Sequence, residues 1–149
     1  MTNRALRIAR WLDRILTGGF YLAFLLELLL LSLSAPSRGG IFLLCAALAF
    51  SFTWLLRRLL GMKRPYQNKS VLLQPRRGTN DSFPSLHAFS AFFIATSAFT
   101  ISPLLSYFLL SAAALLCILR VCLSIHYPRD VVGGAFLGVA VSIVTLILI

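Results

Sequence analysis

His126 and Asp130 stand four residues apart, and Arg120 precedes the histidine by six. A carboxylate that close can bind the imidazole, fix its tautomer and stabilise the positive charge it acquires on attacking an electrophile. The other histidine, His87, closes the stretch Pro84-Ser85-Leu86-His87. A second imidazole supplies the acid that protonates a leaving oxygen and then helps to activate water. Arg57, Arg64 and Arg120 add planar, permanently charged donors that match the oxygens of a phosphoryl group. Ser82 reads as an N-cap and Pro84 as a first-turn residue. Ser85 and the backbone N–H of Leu86 would then point toward an anion at the positive end of a helix dipole. These residue types specify phosphoryl transfer with no metal or other cofactor: His126 as nucleophile, Asp130 orienting it, His87 as general acid.

Each residue also has a plainer reading. A histidine at an interface is often a hydrogen-bonded structural residue, Asp130 stands where it can cap a helix, Arg120 can snorkel, and the other basic residues can anchor a topology. The conjunction separates the two accounts. Two histidines, an aspartate and three arginines gather in a chain that is only 12% charged.

The elements that must position them are membrane helices. The 149 residues are 59% hydrophobic, with a mean hydropathy of +0.90, outside the range of soluble domains. The net charge of +10 would point to nucleic acid in a soluble protein. Here the basic residues flank apolar runs, so the partners are the bilayer and its anionic headgroups, with no nucleic acid. Cys45, Cys117 and Cys122 fall inside apolar runs without metal-ligand spacing and read as small core residues. The first apolar run carries Glu27 and lacks a small-residue cleavage site, so it reads as permanent.

The expected fold is an all-α integral membrane bundle in one domain, residues 1–149. Residues 1–17, with Arg4, Arg7, Arg10 and Arg14 among apolar residues, read as an amphipathic interfacial helix. Residues 18–35, 41–60, 84–102, 104–125 and 131–149 read as five transmembrane helices, each near the roughly 20 residues a bilayer demands. The polar connection 61–83 reads as an active-site loop. Gly134 and Gly138 form a small-xxx-small face that suits internal packing or a dimer contact, which leaves the oligomeric state open. With five spans, the amino terminus, residues 61–83 and residues 126–130 share one side.

At these residues the chain resembles the type 2 phosphatidic acid phosphatase superfamily, whose pattern is K-x6-RP, then PSGH, then SR-x5-H-x3-D. The resemblance covers roughly residues 40 to 149 and has the three motifs in order. It implies phosphate binding by Arg57, Arg64, Ser85, Leu86 (through its backbone) and Arg120, with His87, His126 and Asp130 as acid, nucleophile and orienting carboxylate. Arg57 stands where the family usually has Lys, Leu86 replaces the Gly of PSGH, and Leu119 replaces the Ser before Arg120. The family commonly has six spans, and here an interfacial helix takes the place of the first.

The implied activity is hydrolysis of a lipid phosphomonoester or lipid diphosphate, of the phosphatidic acid, phosphatidylglycerophosphate or undecaprenyl (polyprenyl) diphosphate type, in a multi-pass protein of the cell membrane. Two alternatives stand beside it. PSLH forms occur in a branch that includes lipid phosphotransferases, and Leu86 motivates an inactive protein that holds anionic lipid. Leaving out Arg57, Arg64, Arg120 and Arg129, nine of the ten remaining basic residues lie on the reactive side, which by the positive-inside rule faces the cytoplasm. Many relatives work on the outer face. Glu27 is open between a basic partner, such as Arg58 or Arg120, and the headgroups.

Overall fold

Proline opens three of the helices, at Pro36, Pro103 and Pro128, where its missing N–H would have had no intrahelical partner anyway. The computed structural model of the protein describes residues 3–65 and 81–149. Its helices are α1 (Asn3–Ser34), α2 (Pro36–Leu60), α3 (Leu86–Ser97), α4 (Pro103–Cys122) and α5 (Pro128–Leu148), with a short 3-10 turn, Ala98–Thr100, after α3. There is no strand among the described residues. The expected all-helical membrane bundle is the observed one. Residues 66–80 of the expected active-site loop lie outside the described residues.

Four helices, α1, α2, α4 and α5, are long and apolar enough to cross a membrane, and α3 with its 3-10 turn is shorter. Several boundaries differ from the sequence reading, and α2 already begins at Pro36 rather than Ile41. Residues 3–17 run without a break into the first span, giving one helix of 32 residues, about 48 Å at 1.5 Å per residue. Gly18 and Gly19 do not interrupt it, because a helical glycine costs only about 1 kcal/mol. The third helix begins at Leu86 rather than Pro84, since Ser85 is its N-cap and accepts a hydrogen bond from the Ala88 N–H. It ends early because Ser102 already caps α4, accepting from Leu105 N.

The exterior is a belt of leucine, isoleucine and phenylalanine, including Leu22, Leu33, Leu104, Phe136 and Ile147, each at least 70% exposed. Such a surface is stable against lipid and not against water. Inside, Phe42 on α2 lies between Phe24 of α1 and Phe93 of α3, with ring centroids 5.4 and 5.5 Å away. Apolar burial alone does not hold helices together in a bilayer, so close backbone approach must contribute. Gly134 and Gly138 of α5 provide it. A Cβ at either would collide with a backbone carbonyl of α3, that of Ser85 or that of Phe89. This glycine face is therefore filled by α3 within the same chain.

Glu27 is fully buried on α1 and accepts a hydrogen bond of 2.6 Å from Ser97 Oγ on α3. Its partner is a serine on a neighbouring helix, not Arg58, Arg120 or the headgroups.

Candidate active site

The expected site residues come from four different helix ends, and local backbone chemistry explains why those ends meet. At the end of α2, Gly61 adopts a left-handed conformation (φ 54°) and its N–H caps the Arg57 carbonyl at 3.1 Å, a conformation glycine takes without a Cβ penalty. The chain then leaves the helix, and Met62 O accepts the Ser82 N–H at 2.8 Å. That bond ties the two ends of the long connection together beside α2.

A tighter turn follows α4. Ser124 takes a left-handed φ of 55°, and the N–H groups of Ile125 and His126 both reach back to Arg120 O, at 3.0 and 3.3 Å. This turn brings His126 back to the end of the helix that carries Arg120. Asp130, in the first turn of α5, accepts the Tyr127 N–H at 2.9 Å on Oδ2, and the same oxygen accepts from Ser82 Oγ. Asp130 therefore caps its helix and also faces His126, whose Nδ1 is 3.6 Å from Oδ2. That is an ion-pair distance slightly beyond a hydrogen bond. The start of α3 is fixed to the same place, because Ser85 N–H donates to Asp130 O at 2.9 Å.

The arginines close the other side. Arg57 donates from Nε to the Asp81 carbonyl at 3.0 Å, and its Nη2 lies 3.3 Å from the Asp81 carboxylate. Arg64 meets the same carboxylate, with Nη2 to Oδ1 at 3.0 Å. Arg120 is held from α1, its Nε 2.6 Å from Asp13 Oδ1 and its Nη2 donating to Thr17 Oγ1 at 3.2 Å. The charges of Arg57, Arg64 and Arg120 all act on His87, and His126 and Asp130 lie beside each other, so the six candidates share one electrostatic environment at one end of the bundle. Beside His87 lies a cavity of about 20 Å³ bounded by Thr17, Phe20, Ser90 and Leu116, room for about one water.

Two site residues sit differently from the sequence reading. Ser82 is not the N-cap of α3: it is fully buried and bonds the Asp130 carboxylate instead. Ser85 is fully buried, its Oγ engaged by the Ala88 N–H. The amides of Leu86 and His87, in the first turn of α3, have no intrahelical acceptor by position and remain suited to an anion. Asp13, Thr17 and Asp81 were not singled out in the sequence. Their only signal there is scarcity, since they include two of the chain's four acidic residues.

His126 is 2% exposed. Its pKa lies below the ordinary histidine value, chiefly because burial disfavours the imidazolium. The nearby Asp130 carboxylate opposes that shift, and the Arg64 and Arg57 charges reinforce it. The ring is thus kept neutral, the form in which it can attack phosphorus.

No curated protein matches the sequence. Two solved structures share the fold. A transmembrane PAP2-type phosphatidylglycerolphosphate phosphatase from Bacillus subtilis aligns with a TM-score of 0.69 at 20% identity, covering 99% of this chain and 87% of that one. LpxE from Aquifex aeolicus aligns with a TM-score of 0.61 at 23% identity, covering 95% and 93%. The family model of the PAP2 superfamily matches residues 38–149, a span that holds both histidines, Asp130 and the three arginines, and the chain belongs to that superfamily.

Proposed function

We propose that the protein is a membrane phosphatase that hydrolyses a lipid phosphomonoester or lipid diphosphate through a phosphohistidine on His126, without a metal. The observation that carries this reading is the meeting of a buried neutral imidazole, its carboxylate, a second imidazole and three guanidinium groups at one end of a lipid-exposed bundle.

In the first step His126 attacks phosphorus, the bond to the lipid oxygen breaks, and His87 gives that oxygen a proton. In the second, water attacks the phosphohistidine, His87 takes a proton from it, and phosphate leaves with His126 restored. Arg57, Arg64, Arg120 and the amides at the start of α3 stabilise the equatorial oxygens as negative charge spreads over them. Asp130 holds the His126 ring and balances its charge in the intermediate. The structural relative named for a phosphatase supports the hydrolase over the transferase. The name of that relative is the reason to try phosphatidylglycerolphosphate beside phosphatidic acid and undecaprenyl diphosphate.

The test is phosphate release by detergent-purified protein from those three lipids in EDTA, for wild type and His126→Ala. Release that survives EDTA and vanishes with His126→Ala is expected. Release that needs an added acceptor alcohol would make the protein a phosphotransferase. Release unaffected by His126→Ala would overturn the mechanism.

A further inference from the structure

All three site arginines share one geometry. A guanidinium has a side-on edge, formed by Nε and Nη2, and an end-on edge formed by its two Nη groups, with five N–H donors between them. In Arg57 and Arg64 the Nε and Nη2 atoms meet Asp81, through its carbonyl and its carboxylate. In Arg120 the same edge meets α1, with Nε against Asp13 and Nη2 on Thr17. The Asp13 contact is an ion pair rather than an aligned hydrogen bond, and it is well buried, with side-chain exposures of 10% for Arg120 and 13% for Asp13.

We propose that Asp13 and Thr17 are positioning residues for phosphoryl transfer, holding Arg120 by its side-on edge so that its end-on donors serve the phosphate. This rests on the hydrolase reading above for its reaction, but its basis is the geometry of α1. These residues lie outside the span that matches the family model, residues 38–149. The amino-terminal part of α1 thereby has a task beyond crossing or lining the membrane: it completes the anion pocket from outside the span that matches the family model.

Two physical requirements favour a carboxylate here. A guanidinium this deeply buried is unstable without a counter-charge, and the ion pair supplies one before substrate arrives. A long side chain left to itself samples many rotamers, and holding it in one removes that entropy cost from the binding step. Thr17 also borders the small cavity beside His87, so the segment that fixes Arg120 also forms a wall next to the proposed acid.

The experiment compares wild type, Asp13→Asn and Thr17→Val in detergent. It measures orthovanadate affinity by its protection against thermal unfolding, and kcat and KM for phosphate release from the best lipid of the panel. Thr17→Val removes one hydrogen bond without stranding a buried charge, so it remains informative if Asp13→Asn does not fold. Weaker vanadate binding and lower kcat, roughly tenfold for Asp13→Asn and severalfold for Thr17→Val, with KM much less affected, are expected, by analogy with the outer-shell partners that orient metal ligands, whose loss costs about 10- to 100-fold. Asp13→Glu, which restores the charge, should recover part of both.

Folded variants with unchanged vanadate affinity and kcat would reduce the contact to a structural ion pair and sink the proposal. If wild type binds vanadate in an Asp13-dependent way but releases no phosphate, the pocket geometry stands and the hydrolase reading falls. If wild type binds no vanadate at all, both fall.

Discussion

At the scale of single residues, the proposed mechanism divides its work between two largely buried imidazoles. Burial holds the His126 pKa below its ordinary value, with the Asp130 carboxylate opposing and the Arg64 and Arg57 charges adding to the shift. With the neutral ring as the proposed nucleophile, activity should be lost when the ring gains a proton. A lowered pKa moves that loss to lower pH, so the acid limb of kcat/KM should fall below the value of about 6.5 typical of free histidine. An acid limb at or above that value would show that a different group attacks. His87→Ala tests the partner role. Removing a general acid costs about 10²- to 10⁴-fold where the leaving oxygen needs a proton. The loss should therefore be large for a lipid phosphomonoester with an alkoxide leaving group and small for an activated aryl phosphate. Equal losses on both would place His87 in binding rather than proton transfer. The spacing of Arg120, His126 and Asp130 made this part of the site legible, because a single turn brings all three together. Ser82 was misread as a cap because its contact with Asp130 joins residues 48 apart, and the sequence around Ser82 does not name such a partner.

At the scale of elements, the pairing of α3 with α5 decides whether the site exists. The first turn of α3 and the His126–Asp130 pair meet because α5 can approach α3 at Gly134 and Gly138. The glycine pattern was visible in the sequence, but small-xxx-small describes how closely a helix can be approached and not which helix approaches it. A methyl group at either position meets backbone atoms that no rotamer can move. Gly134→Ala and Gly138→Ala should each cost about 1–3 kcal/mol and lower activity with it. By contrast, Gly18→Ala and Gly19→Ala add a methyl with no heavy atom within 4 Å, so the gain in helix propensity, up to about 1 kcal/mol, should prevail. Thermal unfolding in one detergent measures all four, and the expected result is opposite signs for the two pairs. Destabilisation by Gly18→Ala would mean that α1 must bend there, contrary to its unbroken helix.

At the scale of the whole molecule, charge is distributed with little redundancy. The chain has four acidic residues; Asp13, Asp81 and Asp130 serve the site's arginines and histidine, and Glu27 joins α1 to α3 through Ser97. The basic excess therefore lies mostly beyond these pairs, and nine of the ten basic residues outside the motifs and Arg129 fall on the reactive side by sequence position, leaving only Arg38 opposite. By the positive-inside rule that asymmetry predicts an orientation with the reactive end toward the cytoplasm. The two ends of α2 make it testable, since its 25 residues span about 37 Å, more than the roughly 30 Å hydrocarbon core. Ser37 and Lys63 are both exposed, one at each end. In a Cys122→Ser background, which removes the exposed native thiol, Ser37→Cys should react with an impermeant thiol reagent in intact cells and Lys63→Cys only after the membrane is opened. The reverse pattern would put the histidines on the outer face. The basic residues would then be serving phosphate attraction rather than topology, and the lipid substrate would have to be presented from the outer leaflet.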